Sequence, residues 1–265
     1  MLKKLESVIN NSSYYNFIRF NPLTDLFIEV TKKKTQKAIR FYSSFLDTAT
    51  DNKLVFDIGA NKGNKVKAFL KMGFSVIAVE PERKSLSTLY YRFRKNKKVT
   101  VIEKGVSDKE GVLTINIAEG TSGLNTLSDK WVGSLETKDD NRWHKEHTFK
   151  DSYEVNVTTL ADLFAIYGVP YYVKIDVEGF EVNVIRGMNK IPVFISFETN
   201  LPEFVEETIE CIRLLQKLSA NTVFNYAVAD RLELDTWISA EEMINRVRNP
   251  AIRYMEIIGH SARPF

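Results

Sequence analysis

Between Leu54 and Ile102 short apolar runs alternate with helix-like segments, and this alternation limits the fold more than any other feature. Leu54-Val55-Phe56 is too short for a buried helix and ends in Asp57 and glycines, as a buried parallel strand does. A helix is expected from Gly63 to about Met72, ended by Gly73, and a second strand over Phe74–Val79, closed by Glu80-Pro81. A helix over Glu82–Arg94 and a strand over Val99–Ile102 complete a β-α-β-α-β order. That order implies a parallel sheet with right-handed crossovers.

The alternation resumes after an interruption. Gly111–Ile117 reads as a hairpin arm, and 119–151 as a polar loop long enough to be functional, a lid or ligand-binding segment with Trp131 or Trp143 as its stacking aromatic. Strands follow at Tyr153–Val157, Tyr171–Asp176, Val193–Phe197, Thr222–Val228 and Arg253–Ile258. Helices are expected over Thr159–Tyr167, Gly179–Met188 and Pro202–Leu218. The fold class expected is α/β, a Rossmann-like sheet, mostly parallel and flanked by helices. Residues 1–50, with aromatic anchors from Tyr14 to Phe45, read as an N-terminal helical extension, and 51–265 as the main domain.

Composition adds exclusions. The 265 residues carry a net charge of +3, too little to imply a polyanionic partner. The single cysteine, Cys211, permits no internal disulfide and no cysteine-rich metal site; no metal ligand is assigned, and a divalent metal on Asp176, Glu178 and Glu198 stays open. Asn10, Asn11, Ser12 and Ser13 interrupt any apolar leader, and no run reaches the length of a membrane span. A cytoplasmic protein is expected, with its oligomeric state open.

The first candidate site is Asp57-Ile58-Gly59-Ala60-Asn61-Lys62-Gly63, where a buried strand enters a glycine turn that opens a helix. Such a turn lets backbone approach a ligand closely. Asn61 stands where a dinucleotide fingerprint needs a second close glycine, and the turn lacks the lysine-hydroxyl ending of a P-loop. A carboxylate at Asp57 repels pyrophosphate and suits a cationic ligand with an amino group. Glu80, ending the second strand, is spaced to accept hydrogen bonds from ribose hydroxyls. A phosphate-free nucleoside with a sulfonium and an amino acid tail satisfies both, and S-adenosylmethionine is that ligand. Val106, Ser107 and Asp108, past the third strand, stand where adenine is expected; a simple polar turn is the alternative.

The second cluster is Lys174-Ile175-Asp176-Val177-Glu178-Gly179-Phe180-Glu181. Strand alternation puts Lys174 and Asp176 on one face, with Asp176 at the carboxyl end beside the crevice. Clustered carboxylates are costly unless they serve a cation, a metal or a proton transfer. Helix N-terminal acids complementing the macrodipole are the competing reading, stronger for Glu181 than for Asp176. Glu198, ending the next strand, should face the same crevice. His144 and His147 lack a third ligand and read as surface histidines.

These segments, with Val79-Glu80-Pro81 and Ser122-Gly123-Leu124, resemble the FkbM-type methyltransferases over roughly residues 53–200. The resemblance implies S-adenosylmethionine-dependent O-methylation, often of sugars in polysaccharides, glycolipids or natural products. It implies that Asp57, Gly59 and Glu80, with Ala60, Asn61, Gly63 and Pro81 beside them, hold the cofactor. Asp176 and Glu178 would border the transferred methyl as catalytic residues, with Gly123, Asn125, Lys174 and Glu198 toward a sugar or glycan acceptor. The turn Asn61–Lys65 is more basic than the family's usual apolar pattern. Two rivals stand beside this reading. An RNA methyltransferase would use Arg92–Lys98 with Lys32–Lys34, a stretch that otherwise reads as a solvated helix end. A non-catalytic domain would keep the fold alone, against which the acid at every expected strand end argues.

Overall fold

The computed structural model describes residues 34–136, 146–249 and 251–261. Helix α1 (Lys34–Tyr42) leads into β1 (Leu54–Ile58), α2 (Asn64–Lys71), β2 (Ser75–Val79), α3 (Arg83–Phe93) and β3 (Val99–Ile102). After an insertion, α5 (Leu160–Tyr167), β7 (Tyr172–Ile175), α6 (Glu181–Arg186), β8 (Phe194–Asn200), α7 (Val205–Leu218), β9 (Val223–Ala227), α8 (Ala240–Arg248) and β10 (Tyr254–His260) complete the order. These strands form one seven-stranded sheet in the order β3-β2-β1-β7-β8-β10-β9. All pairings are parallel except those of β10, which runs antiparallel to both β8 and β9. The chain therefore has the Rossmann-like α/β fold that the alternation predicts.

The order reverses between β1 and β7, and neighbouring crossovers part there to leave a crevice at the strands' carboxyl ends. One sheet face packs Phe56, Val173, Ile175, Phe197 and Ile257 against α5, α6, α7 and α8. The other packs Val55, Val76, Tyr172 and Phe194 beneath α1 and α2. Tyr42 of α1 contacts both Phe69 of α2 and Tyr172 of β7, so α1 is seated in the sheet's own core. The rest of the N-terminal segment, including Lys32 and Lys33 of the basic face, lies outside the described residues. Helix α8, closed by a capping box between Ser239 and Glu242, and the two-residue strand β4 (Gly105–Val106) are absent from the sequence expectations.

The insertion corrects the reading of 119–151 as an irregular loop. Strand β5 (Gly111–Ala118) pairs antiparallel with β6 (Phe149–Thr158), and β6 pairs parallel with β4. Between them lie a 3-10 turn (Ser122–Leu124) and helix α4 (Asp129–Glu136). Trp131 on α4 is 1% exposed and packs on Phe204, Leu124 and Leu135, so it is a core residue and no stacking platform. Trp143 and His144 lie outside the described residues. Among the described residues no helix is long and apolar enough to cross a membrane.

Candidate active site

A cleft of about 680 Å³ opens at the β1–β7 reversal point. Its floor is Ile58, Gly59 and Asn61 after β1, Val79-Glu80-Pro81 after β2, and Asp176-Val177-Glu178 after β7. Lys104, Gly105 and Val106 form one side, and Ile115 with residues 122–127 of the insertion close the opposite wall. The sheet thus brings Glu80 and Asp176, 96 residues apart in the chain, into one cleft, while Asp57 is buried beneath the floor and does not line it.

The β1 turn is shaped by two left-handed residues, Gly59 at φ 79° and Asn61 at φ 47°. A β-carbon at Gly59 would collide with the carbonyl oxygen of Asp176, so glycine here lets β1 and β7 lie close at the cleft floor. Gly59 and Ala60 donate backbone N–H bonds to the Val79 carbonyl, at 2.9 and 3.0 Å, which fixes the turn against β2. Gly63, at the head of α2, packs against Phe93 and Leu89 of α3 and does not line the cleft.

Glu80 is buried but aims into this cleft. Its Oε2 accepts from the Asn61 N–H at 2.7 Å and its Oε1 from the Glu82 N–H at 2.9 Å. A carboxylate offers about four acceptor positions, so two backbone bonds leave room for hydroxyl donors. Burial raises its pKa to about 7, against the lowering effect of those two bonds.

Asp57 lies beneath the turn, 1% exposed, and neither carboxylate oxygen has a hydrogen-bond partner. Burial raises its pKa to about 6, with Lys174 and Lys65 pulling the other way and Asp176 and Glu256 adding to the rise. A buried acceptor left in this state is costly unless a ligand or water meets it.

Lys174 and Asp176 share a strand face as alternation predicts, and their side chains form an ion pair at 2.6 Å. Burial alone would lower the lysine's pKa, but Asp176, Glu198, Asp57 and Glu256 together hold it above the ordinary value. Glu198 lies against this group and bonds the Tyr254 hydroxyl; burial first, then Asp176, raises its pKa. Glu256, which alternation on β10 places opposite Glu198, accepts from Ser196 Oγ at 2.6 Å. Neither Lys174 nor Glu198 lines the main cleft, and Glu198 borders a smaller hollow toward α7 instead, so neither sits where the sequence placed it, toward an acceptor in the cleft. Glu181 accepts backbone N–H bonds from Val177 and Gly179, both at 3.3 Å, so its carboxylate closes the loop after β7.

Other expected positions divide. Val106, Gly123 and Asn125 line the cleft. Ser107 and Asp108 do not: Ser107 Oγ donates to Asp108 Oδ1 at 3.1 Å, and their backbone packs on Gly187. Lys104, Ile115, Thr126 and Leu127 line it without having been expected. Ile115 could have been found, because alternation along β5 puts it on the buried face; the others sit in irregular chain. Among the described residues no group of three or more His, Cys, Asp or Glu side chains is arranged to hold a metal.

The FkbM methyltransferase domain matches residues 57–237, which runs from the end of β1 through β9 and holds every wall of the cleft. The chain belongs to the FkbM methyltransferase family. It is an S-adenosylmethionine-dependent methyltransferase. No curated protein matches it as a relative. Among solved structures it is similar to precorrin-6Y C5,15-methyltransferase from Geobacter metallireducens GS-15, at 12% identity over 84% of this chain and 86% of that one, with a TM-score of 0.42. It is similar to the plantazolicin methyltransferase BpumL in complex with a monoazolic desmethylPZN analog and SAH, at 9% identity over 98% of this chain and 90% of that one, TM-score 0.41. A third is StiE O-MT residues 961–1257, at 10% identity over 94% and 81%, TM-score 0.44. This FkbM protein carries an acid at or near the carboxyl end of each of β1, β2, β7 and β8, namely Asp57, Glu80, Asp176 and Glu198.

Proposed function

We propose that the chain methylates a hydroxyl group of a sugar in a polysaccharide, glycolipid or related glycan. The observation that carries this reading is Asp176, a carboxylate that lines the cleft and is held by the ion pair to Lys174.

The residues present fit S-adenosylmethionine. Asp57 is a buried carboxylate without a partner, which suits the ligand's amino group. Glu80, with acceptor positions to spare, would take the ribose hydroxyls. Gly59, Ala60 and Asn61 would bring backbone against the ligand, with Pro81 and Val106 along the base. When bound, the cofactor supplies a methyl group on a sulfonium, so no further activation of the methyl is needed.

The chain's part is then alignment and proton removal. Fixing the acceptor hydroxyl in line can supply roughly 7–11 kcal/mol of the barrier. Asp176 would take the hydroxyl proton as the acceptor oxygen displaces the neutral thioether from the methyl carbon, a contribution of roughly 10²–10⁴-fold. Lys174 fixes the orientation of that carboxylate, and Glu178, Gly123 and Asn125 border the acceptor. The many oxygen acceptors here suit a ligand rich in hydroxyl donors and oppose a polyanion such as RNA. Arg92 and Lys98 support the same preference: they bond the Lys62 and Gly73 carbonyls at helix and strand ends outside the cleft. We read 51–265 as the catalytic domain, with α1 of the preceding segment seated on it. A cytoplasmic location accords with the single cysteine.

Incubation with isotopically labelled S-adenosylmethionine and a glycan panel tests this. Labelled O-methyl sugar is expected; label transferred only to RNA or to nitrogen would overturn it.

A further inference from the structure

The wall of the cleft formed by residues 122–127 is fastened to the floor at two points, and each point is a loop that bends through a left-handed residue. The first fastening joins the insertion to the β1 turn. Ser122 Oγ donates to Asn61 Oδ1 at 3.0 Å, and Asn61 Nδ2 donates back to the Ser122 carbonyl at 3.3 Å. Ser85 of α3 also donates to Asn61 Oδ1, at 3.2 Å, so the asparagine side chain is fixed from behind. Its backbone N–H is meanwhile spent on Glu80. Asn61 therefore faces the wall with its side chain and the cleft acid with its backbone, an arrangement its φ of 47° makes possible.

The second fastening joins the wall to the loop after β7. Thr126 Oγ1 donates to the Glu178 carbonyl at 2.7 Å and accepts from the Ser128 N–H at 2.8 Å. Glu178 has φ 52°, and that turn exposes its carbonyl to the wall. Thr126 is 2% exposed, so this bond is shielded from water. Between the two points the wall is stiff. Asn116 and Thr126 exchange backbone bonds at 2.8 and 3.1 Å, and Asn125 Oδ1 accepts from the Ala118 N–H at 2.9 Å.

We propose that Ser122 and Thr126 are positioning residues, which act through Asn61 and Glu178 to hold this wall closed over the cofactor and to set the rate at which cofactor product leaves. The inference rests on the cleft being the cofactor site. A stiff segment held at two ends opens only when a fastening breaks, so the two residues act on one event. Loss of either should raise the dissociation rate of S-adenosylhomocysteine by about 3–10-fold, the effect of one shielded hydrogen bond. Loss of both should cost less than the product of the single effects, because the wall is already free.

The test is S-adenosylhomocysteine binding to Ser122→Ala, Thr126→Val and the double variant, by calorimetry for affinity and stopped flow for rates, with thermal melting alongside. The expected result is faster dissociation in each single variant, a sub-multiplicative double, and recovery in Ser122→Thr and Thr126→Ser. Wild-type rates in all three variants overturn the proposal alone. A lowered melting temperature with unchanged dissociation also overturns it, since the residues would then be merely structural. Failure of the wild type itself to bind overturns the cofactor site and this proposal together.

Discussion

The Lys174 ammonium lies 2.6 Å from the Asp176 carboxylate, and 1% of the lysine side chain is exposed against 28% of the aspartate. The pair is therefore asymmetric. The lysine is an internal anchor, while the carboxylate keeps a face toward the cleft. A base needs that combination, because its position must be fixed and its oxygen must be reachable.

Replacing Asp176 by Asn keeps the side chain's size and removes its proton affinity. Turnover should fall about 10²-fold or more, the usual worth of a general base. Affinity for S-adenosylmethionine should change little, since the proposed cofactor contacts lie on Asp57, Glu80 and the β1 turn. Steady-state rates with an identified acceptor, with calorimetry in parallel, check both halves. Near-full turnover would move the role to Glu178.

Asp57 gives a stability prediction of opposite sign to the usual salt-bridged acid. Its pKa in the folded chain is about 6, above the ordinary 3.8. The folded state therefore favours the protonated form. The associated stability is present below pH 3.8 and is lost as pH rises through about 6. Glu80, at about 7 against 4.5, adds a loss in the same direction. Asp57→Asn should stabilise the ligand-free protein at pH 8 by something on the order of 1–3 kcal/mol while weakening cofactor binding. Urea unfolding at pH 5 and pH 8 measures it; a destabilised variant at pH 8 would contradict the assignment of Asp57 as a strained, unpartnered acid.

Trp131 belongs to the core. Trp131→Ala should cost about 3–5 kcal/mol of stability, the range for removing a buried large aromatic. Trp131→Phe should cost less and leave the acceptor Michaelis constant unchanged. A stable Trp131→Phe protein with a much raised constant would restore the tryptophan to the acceptor site.

The fold was legible wherever side-chain periodicity matched burial. Leu54–Phe56, Val76–Val79 and Tyr172-Val173 are apolar because helices cover both faces of a central parallel strand, so their sequence announces their place. The pairing of Lys174 with Asp176 followed from the two-residue period alone. The insertion was harder. Trp131 and Leu135 are spaced as one helix face, but α4 is only eight residues long and lies among Gly, Ser, Thr and Asp. Short helices take their stability from packing, here on Phe204 more than 60 residues away, which no local pattern announces. The same reason hid Thr126, whose role depends on a carbonyl 52 residues downstream. Ser107 and Asp108 lie outside the cleft lining, and the sequence could not tell this, because a polar turn after a third strand looks alike whether it faces a ligand or a neighbouring helix.

The central claim is that the cleft between β1, β2 and β7 holds S-adenosylmethionine through Glu80, and calorimetric titration of the cofactor into the wild type and Glu80→Ala tests it most directly. One site per chain is expected, weakened at least about tenfold in the variant, since a lost charge-assisted hydrogen bond costs roughly 1.5–3 kcal/mol. Wild-type affinity should also fall as the pH is lowered through about 7, where Glu80 takes up a proton and loses acceptor strength, and the variant should lack that step. Equal affinities for the two proteins, with the same pH dependence, would contradict the account.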